Sequence, residues 1–524
     1  MKLVNTFLFF LFCVAGFQLH GQERYLQEVF SGFNVQKDIK YGTNISVITG
    51  APAPQDLLLD VYTPAGDTKT NRPVVVVLHT GSFVPPVFFS ITGSRSDSAV
   101  VENCRRLARM GYVAVAATYR LGWRPDAVDQ DVRTNTLLNA AYRGIQDART
   151  VVRFLRKSVA EAGNPYGIDP SKIVLWGHGT GGYLSLGAAY LDRFKEEVVL
   201  EKFIDTKTLK PYVDTTLNGN LYGTTTTPLC LANHPGYSSD FALSVNMGGA
   251  LGDLGWLEGK AGEIPTIGFH VLTDPFAPYA DGPVIVPTTG DFVVNVSGTY
   301  SVVKKANDKG INAVFETVNK DLTNPITARM KAYGQIPITY RGQTITYGTD
   351  NMYPFNPTST LTPYQSGPWE WWSKPQLDAV VAGTNAFLGT KFNSDTLHIN
   401  GLKTNPDMSK AKAMAYLDTI FGLTIPRMYL ALNLATSVKE VISAQTVELT
   451  ISPNPVSDVA FLKSSEQSPM QDIGVYNLEG KLVKGVLDLN SSYYELSRSN
   501  LPPGIYVVQV RFKQGIVAQK LVLQ

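Results

Sequence analysis

The sequence predicts an α/β protein: a doubly wound, mainly parallel sheet followed by a small all-β, immunoglobulin-like sandwich. Three observations carry this reading. From residue 57 to about 316, short apolar runs alternate with helix-like stretches. The apolar run 173–176 feeds directly into a glycine-rich turn, Gly177-His178-Gly179-Thr180-Gly181-Gly182, and a helix-like stretch follows. Beyond about residue 446 the chain changes to short alternating segments broken by Pro, Gly and Asn.

The elements follow in order. Residues 1–21 pair Lys2 with an apolar run over 8–17 and end on the small Gly21. This reads as a secretory signal peptide; the alternative is a membrane anchor, for which the run is short. No later run reaches the ~20 apolar residues of a span, so the mature chain is expected to have no transmembrane segment. Apolar strands are expected at 74–78, 113–118, 173–176, 241–246, 266–269 and 313–316. Ile145, Ala148, Val152, Leu155 and Val159 share one helix face through their 3, 4, 3, 4 spacing. A second helix over 99–110 ends at Gly111, a C-cap residue. Apolar strands alternating with helices imply a parallel sheet covered on both faces. Residues 192–235 and 345–405 read as insertions, and a helix over 409–421 precedes Pro426. The first domain is expected over 22–440 and the β-sandwich over 446–524, with a hairpin at Glu479-Gly480.

With 524 residues, 44% hydrophobic and 17% charged, the chain is long enough for a large core and a further domain. A net charge of +2 without any run of like charge argues against nucleic acid or a polybasic membrane contact. No His, Asp, Glu or Cys cluster has metal-ligand spacing, and no cofactor is implied. Cys13 leaves with the signal. Cys104 and Cys230 remain, as a disulfide in an exported protein or as two buried thiols.

The tail carries a first resemblance. ISPNPVSD (451–458), LPPGIYVVQV (501–510) and the ending KLVLQ (520–524) resemble the C-terminal sorting domain of the type IX secretion system of Bacteroidetes. The resemblance implies passage across the inner membrane by the signal peptide. Recognition by the type IX machinery then carries the chain across the outer membrane, to be released or attached to the cell surface.

The first domain carries a second. LLLDVYTP (57–64), RPVVVVLHTGSF (72–83), GYVAVAATYRLG (111–122), YGIDPSKIVLWGHGTGG (166–182) and IPTIGFHVLTDPFAPY (264–279) fall in order. Together they resemble an α/β-hydrolase of the carboxylesterase and lipase type. The resemblance implies an oxyanion loop at His79-Thr80-Gly81-Ser82-Phe83, with N–H donors near Gly81 or Ser82 and at Thr180. It also implies a nucleophile elbow at Gly177 to Gly181 and a triad acid at Asp274. The elbow departs from the family's G-x-S-x-G: its centre is Gly179, which has no side chain to act as nucleophile. No histidine occurs over 317–397, which leaves His398 as the one candidate base after Asp274; a surface histidine is the alternative.

The expected function is therefore a secreted carboxylesterase-like protein without catalysis, a pseudoenzyme that holds a small ester or carboxylate or serves a surface role. One alternative is an active ester hydrolase, for example on polysaccharide esters, with an atypical nucleophile. Thr180 and Ser82 are the nearest hydroxyls for that role. Another is a surface adhesion module. Trp369, Trp371 and Trp372 read either as a cleft lining or as an anchor into the core.

Overall fold

The computed structural model describes residues 24–88, 92–286, 288–356, 364–434, 442–477, 482–486 and 489–524. The expected signal peptide, Cys13 and the Glu479-Gly480 turn lie outside the described residues. The chain divides into two compact units, Met1–Leu434 and Ala435–Gln524.

In the first unit, β1 (Phe33–Ser46), β2 (Ala53–Pro64) and β3 (Arg72–Leu78) precede α1 (Ser98–Arg109) and β4 (Val113–Ala117). Then come α2 (Gln130–Glu161), β5 (Ile168–His178), α3 (Thr180–Tyr190), β6 (Leu243–Met247), β7 (Thr266–Val271) and β8 (Met352–Phe355). These strands form one eight-stranded sheet in the order β1-β2-β4-β3-β5-β6-β7-β8. β2 runs antiparallel to β1 and β4, and the other neighbours are parallel. This is the α/β-hydrolase arrangement. The strand period of two explains why both faces need cover. Val74, Val76 and Leu78 of β3 enter one core, while Val75 and Val77 enter the other. Each fully buried valine contributes on the order of 1.5–3 kcal/mol.

Buried polar atoms lock the connection from β4 to α2. Arg120 and Asp147 are both fully buried and pair at 2.9 Å. The Arg120 backbone N–H also donates to Asp147 Oδ2 at 2.8 Å, and its guanidinium donates to Gln146 Oε1 and the carbonyls of Arg143 and Leu229. The Tyr-Arg-Leu segment at 119–121 is thus a structural anchor.

Several sequence expectations are corrected. Residues 313–316 are no strand: Ile311–Phe315 form a 3₁₀ turn after the left-handed Gly310 and run into a helix at Glu316–Lys320. That turn sends only Asn312 and Phe315 inward. The last strand of the sheet is instead β8, within the 345–405 stretch. It tolerates Pro354 because it is an edge strand. That stretch also holds α4 (Lys374–Leu388) and α5 (Ser394–Thr404). The helix expected to end before Pro426 is α6 (Lys410–Ala431), which runs through it. Buried side chains on both sides of the proline, Leu417, Ile420 and Phe421 before it and Arg427 and Met428 after it, outweigh the lost hydrogen bond. Cys104 and Cys230 are both buried, free thiols, so no disulfide forms. Cys104 packs in the α1 core among Tyr62, Val75 and Leu107, and Cys230 lies beside Gly219 in the 192–235 insertion.

In the second unit, β9 (Thr450–Ser452), β10 (Val459–Lys463), β11 (Asp472–Tyr476) and β12 (Leu482–Val486) precede β13 (Tyr493–Ser497), β14 (Gly504–Arg511) and β15 (Ile516–Leu523). They make two antiparallel sheets, β9-β10-β13 and β12-β11-β14-β15. Alternate residues such as Ala460, Leu462, Val508 and Val510 meet in one core, as a sandwich requires.

Candidate functional site

The site begins at the turn from β5 to α3. Gly179 sits there at φ 50°, ψ −112°, a conformation that side chains rarely adopt. Its N–H donates to the Met247 carbonyl at 2.7 Å, and the Gly181 N–H donates to His79 O at 3.1 Å. The flanking glycines are required by close approach of backbone to backbone. A Cβ on Gly177 would overlap Gly181 and Gly182, and one on Gly181 would overlap the Leu78 carbonyl and lie 2.8 Å from His79 O. Gly179 differs: a Cβ there would overlap the Thr80 hydroxyl and lie 2.9 Å from Thr80 Cβ. The side chain of Thr80 therefore fills the space at the elbow's centre.

The loop facing the elbow is strained. Gly81, Ser82 and Phe83 all have positive φ, which is costly for the two that are not glycine. His79 anchors the loop from behind. It stacks on Tyr119 at 4.3 Å, and its Nδ1 lies 2.6 Å from Thr80 O. Burial pushes its pKa down to about 4, so it is neutral near pH 7. Tyr119 Oη donates to His79 O at 2.8 Å and sits 2.8 Å from the Thr180 hydroxyl, tying loop to elbow. Thr180 opens α3, so its N–H is one of the orphan donors of the helix start.

Elbow and loop wall a cavity of about 160 Å³. Thr80, Ser82, Gly179, Thr180, Asp274 and Ser366 supply its polar lining. Phe83, Trp123, Leu138, Ile145 and Trp256 are among the apolar residues that make up most of the rest. Asp274 is buried. Its Oδ1 accepts from the N–H groups of Phe276 (2.8 Å) and Ala277 (3.2 Å), and its Oδ2 accepts from Ser366 Oγ at 2.9 Å. Desolvation outweighs these bonds and pushes the carboxyl up to about 7.

The structure brings Gly179, Thr180, Ser82 and Asp274 to one cavity; Gly81 lies within the strained loop between two lining residues. His398 does not join them. It lies on α5, half-buried in a helical pair with α4, where Leu377, Val381 and Leu397 form a separate small core. Among the described residues, no histidine lines the cavity. His178 points away from it, with Asn103 Nδ2 at 2.9 Å and Glu370 at 3.2 Å. His270 is buried behind Asp274, at 3.8 Å, between Thr299 and the Ala277 carbonyl. Trp369 and Trp372 are buried in two different cores. Among the described residues, no group of three His, Cys, Asp or Glu is placed to hold a metal, and no helix is long and apolar enough to cross a membrane.

Two site residues escaped sequence reasoning. Thr80 had a visible signal, a β-branched residue directly after His79 where the family's loop carries glycine. Ser366 had none, because its partner Asp274 is 92 residues away.

Residues 59–225 match the BD-FAE family, and residues 450–524 match the secretion system C-terminal sorting domain. No curated protein matches the chain. Similar solved structures include an esterase from the Planctomycetes species Thermogutta terrifontis, Est2, with propionate bound. It is 18% identical over 68% of this chain and 94% of that chain, with a TM-score of 0.31. The same esterase phosphorylated by paraoxon is 18% identical over 68% and 94% of the two chains, with a TM-score of 0.32. The chain therefore joins an esterase-like α/β-hydrolase domain of the BD-FAE kind to a type IX sorting domain, which sends it to the cell surface or into the medium.

Proposed function

We propose that the first unit binds a small ester or carboxylate at the emptied elbow without cleaving it. The observation that carries this reading is the mutual exclusion at the elbow's centre: Thr80 occupies the volume that a side chain at position 179 needs. Two further observations support it. Among the described residues no histidine lines the cavity, so a serine or threonine hydroxyl there has no imidazole base and is a weak nucleophile. The Asp274 carboxyl is met by Ser366, where an acid of a working triad would orient an imidazole.

Binding needs none of the missing groups. The Thr180 N–H, the positive end of α3 and the positive-φ backbone at 81–83 offer donors to a carbonyl or carboxylate oxygen. Asp274, poised near neutrality, is protonated in slightly acidic solution and then donates a hydrogen bond. The apolar walls accept an acyl or aryl chain. Residues 1–21 serve in this reading as the signal for the first membrane step before type IX export.

The test is treatment of the secreted chain with a serine-directed fluorophosphonate and a panel of short acyl esters, together with thermal unfolding in the presence of butyrate. We expect no covalent labelling, ester hydrolysis at the rate of buffer, and a rise in Tm with butyrate. Turnover well above buffer that survives Thr180→Ala and Ser82→Ala overturns the reading.

A further inference from the structure

On the opposite side of α2 from the elbow cavity lies a second cavity, of about 420 Å³. The helix separates them by chemistry. Leu137, Leu138, Ala141 and Ile145 face the first cavity, and Asn135, Thr136, Asn139 and Arg143 face the second.

Arg143 sets this second cavity apart. The residue is 3% exposed, and among the described residues no carboxylate pairs with it. Of the five N–H donors of a guanidinium, one is engaged: Nη1 reaches Asn218 Oδ1 at 3.3 Å. Its Nε is buried with no partner. Arg133 and Arg153 also leave one buried nitrogen each without a partner, but the neighbouring buried arginines each make at least two hydrogen bonds, against one for Arg143. Arg120 pairs with Asp147, Arg149 donates to the carbonyls of Leu221, Ala188 and Leu191, and Arg133 donates to those of Ala127 and Val128. A buried cation is ordinarily paired, because leaving one unpaired costs several kcal/mol. Burial lowers the Arg143 pKa to about 10, which still leaves it charged at neutral pH.

We propose that this cavity is a binding site for a small hydroxylated carboxylate, whose carboxylate takes the free fork of Arg143. A planar guanidinium matches a carboxylate in a bidentate pair. Lys210 adds positive charge at the lining. The ligand's hydroxyls meet acceptors on the remaining wall. Asp205 and Asp214 line it, and each uses Oδ1 to close its own turn, at Lys207 and Thr208 and at Thr216. Their Oδ2 atoms are left as acceptors for hydroxyl groups. A bare acid without hydroxyls meets those carboxylates with nothing to donate, which is why the class is hydroxylated.

The test uses the full secreted chain, with sodium gluconate as probe and sodium acetate as its unhydroxylated counterpart, by isothermal titration. We expect saturable 1:1 binding of gluconate, with acetate about tenfold weaker or more. Arg143→Met weakens gluconate about tenfold or more, the loss of a charged hydrogen-bonded pair. Leu217→Trp, at an exposed lining residue, narrows the mouth and weakens binding without touching the core. That second variant decides the matter alone if Arg143→Met fails to fold. It also separates this cavity from the elbow, which Leu217 does not line. The proposal is overturned by the absence of saturable gluconate binding, by binding that Leu217→Trp leaves unchanged, or by acetate binding as tightly as gluconate.

Discussion

The frame of the elbow and the face it presents to the cavity follow different rules. In the frame, Gly177 and Gly181 meet only backbone, and Arg120 and Asp147 satisfy each other at zero exposure. On the face, Gly179 meets a side chain, Thr80, and the Asp274 carboxyl is held by a hydroxyl in place of a charged partner. The difference teaches what each part is for. The frame is fixed by sterics and desolvation whatever the protein does. The face is fixed only by chemistry, and under the proposed function its residues serve occupancy rather than turnover.

The frame gives the largest expected effects. Asp147→Ala leaves the Arg120 guanidinium buried and uncompensated, with an expected loss of about 3–5 kcal/mol in denaturant unfolding. Gly181→Ala drives a methyl into the Leu78 carbonyl, which cannot move without its strand, with an expected loss of about 3 kcal/mol or more. If either variant unfolds like the parent, the frame is softer than its contacts imply and the contrast collapses.

Next comes the buried acid of the face. The Asp274 pKa is about 7 in the folded chain, against an unfolded value of about 3.9. The folded state therefore holds an extra proton between these values, so this group makes stability fall as pH rises from about 4 to 7. Asp274→Asn removes that slope, and relative to the parent the variant gains on the order of 2–4 kcal/mol in going from pH 4 to pH 8. Denaturant titrations at the two pH values measure it. A variant whose stability tracks the parent at both shows that Asp274 is ionised and solvated, as in a working triad.

How much of this was legible depended on whether the cause was local. The strand-to-turn transition at 173–182 is written in consecutive residues, four apolar and then glycines, and the structure keeps it. The all-buried β3 is likewise legible from the valine run 74–77. β8 was not, because four residues with Pro354 at their centre read as a loop; only its place at the sheet edge makes the proline harmless. Residues 313–316 read as a strand because a short apolar run has no period of its own, and the 3₁₀ turn after Gly310 decides otherwise. Chain order alone points to His398 as the base, since it follows Asp274, but the helices that carry it build their own core. Ser366 and the overlap of Thr80 with position 179 are distances across the fold, and no pattern along the chain encodes them.

The centre of the elbow gives a smaller effect. Gly179→Ser places a β-carbon against Thr80 and a side chain in left-handed backbone, with an expected loss of about 1–3 kcal/mol. Thr80→Gly in the same chain should recover the part that is overlap and leave the part that is backbone strain. Full recovery, or none, would show that only one of the two terms operates.

The smallest effect is the most telling about the face. Gly179→Ser with Thr80→Gly supplies a nucleophile and room for it, but among the described residues no histidine lines the cavity and the Asp274 carboxyl is taken up by Ser366 and two backbone N–H groups, so hydrolysis of a short acyl ester should stay at the rate of buffer. Adding Ser366→His puts an imidazole beside the Asp274 carboxyl, 92 residues away in sequence and 2.9 Å away at the present hydroxyl. A positioned base supplies about 10²–10⁴-fold, and one introduced without tuned surroundings should fall short of this range, at about tenfold over the double variant. The imidazolium that forms also favours the ionised Asp274, so the activity should rise with pH as the triad assembles its charges. A double variant that already hydrolyses esters reveals a base elsewhere on the face. A triple variant that gains nothing places the missing histidine at some position other than 366.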